Sequence, residues 1–318
     1  MTRKRQFIHT VFLFLLPIVV AWLGVGVSTA LLLVLLMLLW RWLIVLSGIS
    51  APEAAPDVVL ETAAASHFVE KVRWCMDRMQ LEYTERQAGG TLGVFFTGRT
   101  VPQLRVRTGL VESVIGNSPE ILRFLWGAHS TQSPQEMMFL EPTAERLELE
   151  GRLDRHGRNL QVWINYHLLG DRELTLHAWG ANNPAVPAWQ RQALRLIFPL
   201  LATLIRRAFS ITDEHYTRSV LHVDELLSEV DTLLADGRGS ILGGDVVNFT
   251  DLTFAANTGL WLQPENYGGG RADAVRIERH SMPEAMRSDI ERWEETYPRA
   301  TAWVERLYES RPPAGGAP

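Results

Sequence analysis

The chain has 318 residues, of which 47% are hydrophobic and 21% charged, a balance typical of a packed globular protein and not of a disordered or fibrous one. Its single cysteine excludes a disulfide framework and any multi-cysteine zinc or iron–sulfur site. The formal net charge is −5, and only basic charges precede Glu53, so the remainder is still more acidic. We therefore expect no binding to nucleic acid.

The N-terminal region contains an apolar stretch that is longer than one helix needs to cross a bilayer. Residues 7–49 contain one permanently charged side chain, Arg41. As one helix they would extend about 65 Å, roughly twice the hydrocarbon core. We therefore predict a transmembrane helical hairpin anchor over residues 1–49, with spans near 7–23 and 27–46. The alternatives are a single span and a signal peptide, and the second is disfavoured because its apolar region would be much shorter.

The charges around this segment predict its orientation. Arg3, Lys4 and Arg5 hold the N-terminus in the cytoplasm by the positive-inside rule, and a hairpin returns the rest of the chain to the same side. We expect the inner (plasma) membrane of a bacterium, with the soluble domains facing the cytoplasm.

A Pro- and Ala-rich linker at 50–57 leads into alternating strand and helix patterns. Residues 58–61 predict a short buried strand. Ser66 is a good N-cap for a helix that carries Glu70 in its early turns. Residues 81–84 predict a second strand.

Proline shapes the next elements. Residues 101–106 predict a strand, in which Pro102 requires an edge, a turn or a cis bond. Residues 110–115 predict another strand. Ser118 then has the position of a helix N-cap, with Pro119 at the first helical position.

Three of these segments resemble the thioredoxin-like domain of the glutathione S-transferase superfamily. Residues 66–74, SHFVEKVRW, are similar to the family's first-helix entry, in which a serine or cysteine precedes a K/R-V-R run. Residues 101–104, VPQL, resemble its V-P-x-L with a cis-proline, and residues 117–122, NSPEIL, resemble its E/D-S-x-x-I-L segment.

The rest of the chain has helical periodicity. Helices are predicted at 142–155, 160–169, 187–209 and 213–235. Residues 194–205 are apolar but too short for a membrane span, so we interpret them as part of a buried core helix.

A second resemblance lies further along. Residues 242–255 are similar to the family's L-x-G-D…S-x-A-D-L-x-x-A stretch, in which a capping residue and an aspartate three positions later hold the start of a buried helix. Asn248 would be the cap and Asp251 its partner.

The resemblance covers about 57–310 and implies an α/β plus all-α fold preceded by the transmembrane hairpin. We expect a thioredoxin-like N-terminal domain at 58–127, which would bind glutathione. An all-helical C-terminal domain at 128–310 would follow and would bind the substrate, and residues 311–318 would form a disordered tail.

The resemblance to the serine-type transferases assigns the catalytic role to Ser66, whose hydroxyl would stabilise the glutathione thiolate. A free thiol has a pKa near 8.5, and a hydroxyl hydrogen bond of about 1.5–3 kcal/mol with a helix N-terminus would make the thiolate dominant at neutral pH. The alternative is that Ser66 only caps its helix. His67 stands where the family usually has proline.

Four further residues are expected to bind glutathione, the co-substrate. Pro102 would fix the loop so that the main chain of Val101 pairs with the cysteinyl unit, although it could be merely structural. Asn117 and Ser118 lie where the family holds the γ-glutamyl group at a helix N-terminus. Asn117 replaces the usual acid, so it would bond the substrate amine without pairing with its charge.

Other chemistries have less support. Cys75 lies in the body of the first helix, where we expect a buried apolar side chain and not a nucleophile. This also disfavours a reductase or peroxidase. The histidine spacing predicts no metal site. The loop at 86–100 is a short helix, a lid or a membrane-touching element, and the sequence leaves these open.

We therefore predict a membrane-anchored glutathione S-transferase-like enzyme that conjugates the glutathione thiolate to an electrophilic, hydrophobic small molecule. Its role would be the detoxification of lipophilic or peroxidised compounds. The alternative is a non-catalytic docking or binding module with the transferase fold at the membrane, since fold does not fix function. A homodimer is common in the family.

Overall fold

The structure is a computed structural model that describes residues 15, 19, 22–24, 26–49, 56–90, 92, 101–108 and 111–311. It has two compact units, one of residues 1–59 with 105–114 and one of residues 60–104 with 115–318. The sequence-based domain boundaries at 57/58 and 127/128 stay predictions.

The α/β part contains α1 Val27–Ile49, β1 Asp57–Thr62, α2 His67–Arg78, β2 Thr84–Gln87, β3 Gln103–Thr108, β4 Val111–Gly116 and α3 Ser118–His129. The helical part contains α4 Pro134–Met137, α5 Ala144–Leu168, α6 Arg172–Ala178, α7 Ala188–Ala208, α8 Asp213–Leu233, α9 Phe249–Leu262, α10 Glu284–Thr296 and α11 Pro298–Glu309. Short 3₁₀ turns connect several of these helices, among them Tyr267–Gly270 and Asp273–Val275.

The four strands form one sheet in the order β2-β1-β3-β4. With α2 and α3 they give the predicted thioredoxin-like order of elements, and a mainly helical segment follows as predicted.

The second strand, predicted at 81–84, lies three residues later in the structure, at Thr84–Gln87. Gln80 has a φ of 52°, and the N–H of Leu81 donates to the carbonyl of Met76 (3.1 Å), so the chain is still closing α2 there. Pairing starts only at Thr84, and the alternation of apolar residues at 81–83 misled the prediction.

Helix α2 supplies much of the core of the larger unit. Val69, Val72, Trp74, Cys75 and Met76 are all at most 2% exposed, although the helix also carries several charged side chains. It packs against α3 and α9. A helix buried this completely holds its first turn in a fixed position, which matters because Ser66 precedes that turn.

Helix α5 is continuous where the sequence predicted a break between 155 and 160. Gly157 lies in this interval, and a Cβ there would be 3.0 Å from the ring of Phe68 and 3.1 Å from Nε2 of His67. The glycine therefore permits a close approach of α5 to the start of α2 and does not end the helix.

The capping box of α9 is confirmed. The N–H of Thr250 donates to the side-chain oxygen of Asn248 (2.9 Å), and the N–H of Asn248 donates to Oδ2 of Asp251 (2.8 Å). The other carboxylate oxygen of Asp251 accepts from the N–H of Ile241 (2.8 Å). These bonds satisfy the donors that a helix start leaves unpaired.

The predicted buried core helix at 194–205 is buried on one face only. Leu194, Phe198 and Leu201 lie in the core of the helical part, whereas Leu196 is 81% exposed and Leu200 is 58% exposed. The prediction followed the apolar composition and missed that this helix has two apolar faces.

The predicted N-terminal hairpin falls only partly within the described residues. Its second span coincides with α1, and Gly24 and Gly26 before it have φ values of 76° and 95°, which suit a turn. Among the described residues no helix is identified as both long and apolar enough to cross a membrane. The transmembrane hairpin is therefore not confirmed and stays a prediction.

Three further expectations fall largely outside the described residues. These are most of the linker at 50–57, most of the loop at 86–100 beyond residue 90, and the tail from residue 312. Arg311, which the tail prediction included, is instead buried, with 7% of its surface exposed.

Candidate functional site

Ser66 lies at the N-cap of α2, as predicted. Its backbone is extended, with φ −76° and ψ 120°, and its Oγ accepts a hydrogen bond from the N–H of Val69 (3.4 Å). Its own N–H donates to the carbonyl of Ala63 (3.0 Å), and the residue is half-buried. Because a hydroxyl both donates and accepts, the capping bond leaves the hydroxyl hydrogen free for a ligand atom.

The loop before Ser66 is held from two sides. The Nη1 of Arg73 donates to the carbonyl of Ala64 (3.0 Å), and the hydroxyl of Tyr267 donates to the carbonyl of Ala65 (3.3 Å). Arg73 is itself fixed by Glu85, whose Oε2 lies 3.0 Å from its Nε. One anchor comes from α2 and the other from a 3₁₀ turn of the helical part, so both restrict where the Ser66 hydroxyl lies.

A buried charge cluster supports these anchors from within the larger unit. The guanidinium of Arg311 contacts Glu70 through Nη1 and Asp77 through Nη2, the second at 3.0 Å. Arg271 also contacts Asp77 (3.2 Å). Sequence reasoning missed Arg311 because its two partners lie more than two hundred positions earlier, and no local pattern links them.

His67, the residue in place of the family's proline, is neutral. Its Nε2–H donates to the carbonyl of Gly157 (3.0 Å), and burial lowers the pKa of His67 to about 4. Burial, with a smaller contribution from the neighbouring His67, likewise lowers the pKa of His156 to about 3. At neutral pH, His67 and His156 therefore place no positive charge next to Ser66.

The peptide bond between Val101 and Pro102 is cis, as predicted. Pro102 is buried and Val101 is half-buried, and the chain enters β3 directly after them. The strand order puts β3 next to β1, the strand that leads to Ser66.

The predicted N-cap at Ser118 is corrected to Asn117. Asn117 has a φ of 71° and is exposed, and its side chain makes no capping bond. A positive φ is uncommon for a residue other than glycine, and asparagine is among the residues that adopt one more often. Ser118 is then the first helical residue, 1% exposed, and its Oγ has no hydrogen-bond partner among the described residues.

A small cavity adjoins the residue before Ser66. Its volume is about 30 Å³. Its lining includes Ala65, Ile164, Leu260, Tyr267, Val275 and Ile277. The lining is mainly apolar, so the cavity suits a nonpolar group more than a charged one.

Cys75 is buried, as predicted, and burial raises the pKa of its thiol to about 12. It is therefore protonated and shielded from reactants. Within the described ranges no cluster of three or more histidine, cysteine or acidic side chains is arranged to hold a metal ion.

All five predicted site residues belong to the larger unit. Ser66 follows β1, Val101 and Pro102 precede β3, and Asn117 and Ser118 begin α3, which packs against α2. Besides Arg311, sequence reasoning missed the roles of Arg73 and Tyr267, which anchor the loop before Ser66.

No family model and no curated protein matches the sequence. The structure is similar to several solved structures. A glutathione S-transferase from Methylobacterium radiotolerans, in complex with glutathione sulfonate, has 15% identity and a TM-score of 0.45, over 81% of this chain and 95% of that one. One from Rhodospirillum rubrum has 18% identity and a TM-score of 0.42, over 80% and 89%.

A third match is to a maleylacetoacetate isomerase from Anaeromyxobacter dehalogenans, with bound dicarboxyethyl glutathione and citrate. It has 16% identity and a TM-score of 0.42, over 80% of this chain and 86% of that one.

Proposed function

We propose that the protein binds glutathione and transfers its thiolate to an electrophilic, apolar small molecule. The observation that carries the proposal is the buried Ser118 hydroxyl, which has no partner among the described residues. A buried hydroxyl without a partner costs free energy, and a bound carboxylate would supply the missing acceptor. The helix N-terminus that begins at Ser118 favours the same anionic group.

The other predicted residues fit the rest of the tripeptide. Val101 is half-buried and lies two residues before β3, and its main chain would pair with an extended cysteinyl unit as an added strand. Asn117 is exposed beside Ser118 and would bond the γ-glutamyl amine through its amide oxygen. No metal is required by this arrangement.

Ser66 would donate its hydroxyl hydrogen to the glutathione sulfur and so favour the thiolate. In the reaction the sulfur lone pair forms a carbon–sulfur bond with the electrophilic carbon of the substrate. Either a leaving group departs with its electron pair, or the added electron pair takes a proton from solvent. The small apolar cavity beside Ala65 would contact an apolar group of the substrate.

We further propose that the N-terminal region anchors the protein to the inner membrane of a bacterium, with the soluble domains in the cytoplasm. Helix α1 contains one charged residue, Arg41, and exposes apolar side chains such as Leu31, Leu35 and Trp42 at its surface. Such a surface is favourable in lipid and unfavourable in water. We also propose that the protein forms a homodimer.

The main alternative is a docking or binding module without catalysis. The observation that favours it is the Ser66 hydroxyl, which already caps α2 and so has a structural role. Mass spectrometry of glutathione incubated with an aryl halide and the full-length protein distinguishes the two. Protein-dependent thioether formation, reduced in Ser66→Ala, supports the transferase. Glutathione binding without any conjugate would favour the docking module.

A further inference from the structure

Helix α7 has a second apolar face, which points away from the protein core. Its buried face includes Leu194 and Phe198. On the opposite side lies a set of exposed apolar side chains, most of them three, four or seven positions apart, which we call the outer stripe. It consists of Trp189 (56% exposed), Leu196 (81%), Ile197 (37%), Leu200 (58%) and Leu204 (38%).

The charges of this helix have one sign. It contains four arginines and no acidic residue, although the whole chain has a net charge of −5. Arg206 and Arg207 are exposed at its C-terminal end, and neither has an ion-pair partner among the described residues. The nearest acidic residues along the chain are Glu173 and Asp213, both outside the helix.

We propose that the outer stripe lies on the surface of a lipid bilayer that contains anionic lipids, with α7 parallel to the membrane plane. A helix with exposed leucine and tryptophan on one side and arginines nearby is the type that binds the headgroup region. Because its other face is part of the core, α7 would bind as a rigid element of the folded protein. This inference does not depend on glutathione binding.

Charge favours lipid over a second copy of the chain as the occupant. Two copies joined through the outer stripe would bring their arginines to the same contact, and like charges there oppose association. Anionic headgroups have the complementary charge. Each arginine close to such a surface is worth about a fivefold change in binding, from about 1 kcal/mol per residue.

The test uses fluorescent labels on the full-length protein in vesicles. The single cysteine, Cys75, is buried, so an introduced cysteine is labelled selectively. One variant is Leu200→Cys on the outer stripe. The matched control is Leu221→Cys on α8, because the two leucines are almost equally exposed (58% and 57%). An environment-sensitive fluorophore reports lipid contact, and a water-soluble quencher reports exposure.

In phosphatidylglycerol vesicles we expect the label at 200 to shift to the blue and to resist the quencher, while the label at 221 does not. In Arg206→Gln/Arg207→Gln the ratio of protected to exposed label at 200 should fall about 25-fold, from the two fivefold contributions. Circular dichroism of each variant checks that it remains folded.

Three results would overturn the proposal. The first is equal quenching of the labels at 200 and 221 on vesicle-bound protein. It would show that the outer stripe does not contact lipid, and it would not contradict the N-terminal anchor. The second is protection of the label at 200 that persists in pure phosphatidylcholine vesicles, is unchanged in Arg206→Gln/Arg207→Gln, and increases with the amount of protein per vesicle. That result would assign the outer stripe to a second copy. A protein that does not bind vesicles at all would refute this proposal and the anchor together.

Discussion

Replacement of Ser66 by alanine separates two roles of one hydroxyl. The substitution removes the acceptor for the N–H of Val69 and the proposed donor to the glutathione sulfur. The first loss acts on stability and the second on the ionisation of bound glutathione. The two effects are measured independently, and each has its own expected size.

The capping bond is long, with 3.4 Å between Oγ of Ser66 and the N of Val69, so its loss is expected to cost about 0.5–1 kcal/mol of unfolding free energy. The bond to the thiolate is charge-assisted and worth about 1.5–3 kcal/mol. At 1.36 kcal/mol per pKa unit, its loss should raise the pKa of the bound thiol by about 1–2 units. At pH values below the pKa of the wild-type complex, where the thiolate fraction changes tenfold for each unit of pKa, kcat/KM should fall roughly 10- to 150-fold.

Ultraviolet absorbance of the thiolate, followed against pH with glutathione bound, gives this pKa without knowledge of the substrate. The matched control is Thr143→Ala, because Thr143 caps α5 through a bond of the same length to the N–H of Arg146 (3.4 Å). It should lose similar stability and keep the thiol pKa. An unchanged thiol pKa in Ser66→Ala would refute the catalytic role of Ser66 and leave it as a cap.

Two further predictions concern stability. Arg311→Met leaves the buried carboxylates of Glu70 and Asp77 without their shared partner and should destabilise the fold by about 3–5 kcal/mol in urea unfolding. Arg152→Met, which breaks an exposed pair, should cost under about 1 kcal/mol, and equal losses would contradict this account. Burial lowers the pKa of His156 in the folded state to about 3, whereas in the unfolded chain it is about 6.5. As the pH falls below about 6.5, the unfolded chain therefore takes up a proton that the folded protein does not, and the free energy of unfolding decreases. In His156→Leu that slope, measured by urea unfolding between about pH 4.5 and 7, should decrease by about 1 kcal/mol per pH unit on average and by about 1.4 below about pH 5.5, and an unchanged slope would show that His156 is not buried as neutral.

Local features of the sequence predicted much of the fold. The caps Ser66 and Asn248 lie where predicted because capping depends on a few adjacent residues. The same locality explains the errors. Alternating apolar residues at 81–83 resemble a strand, but the chain there is still bonded to α2 through Leu81. Gly157 resembles a helix break, but tertiary contact with Phe68 determines its role.

The candidate site could be predicted only in part. Ser66, Pro102 and Ser118 occur in short motifs, so the sequence indicates them. Arg311 could not be found in this way, because a buried ion pair depends on which distant segments meet and not on neighbouring residues. The second apolar face of α7 was missed because composition alone does not distinguish a helix buried all round from one with an exposed stripe.

The measurement that tests the central claim most directly is a glutathione titration of the full-length protein, followed by its melting temperature. A ligand that binds only the folded state must stabilise it. We predict a saturable rise in the wild type, greatly weakened in Ser118→Ala. The rise should be retained in Ser219→Ala, which removes another fully buried serine hydroxyl that has no partner among the described residues. No rise up to about 10 mM glutathione, or equal rises in all three proteins, would contradict glutathione binding at Ser118.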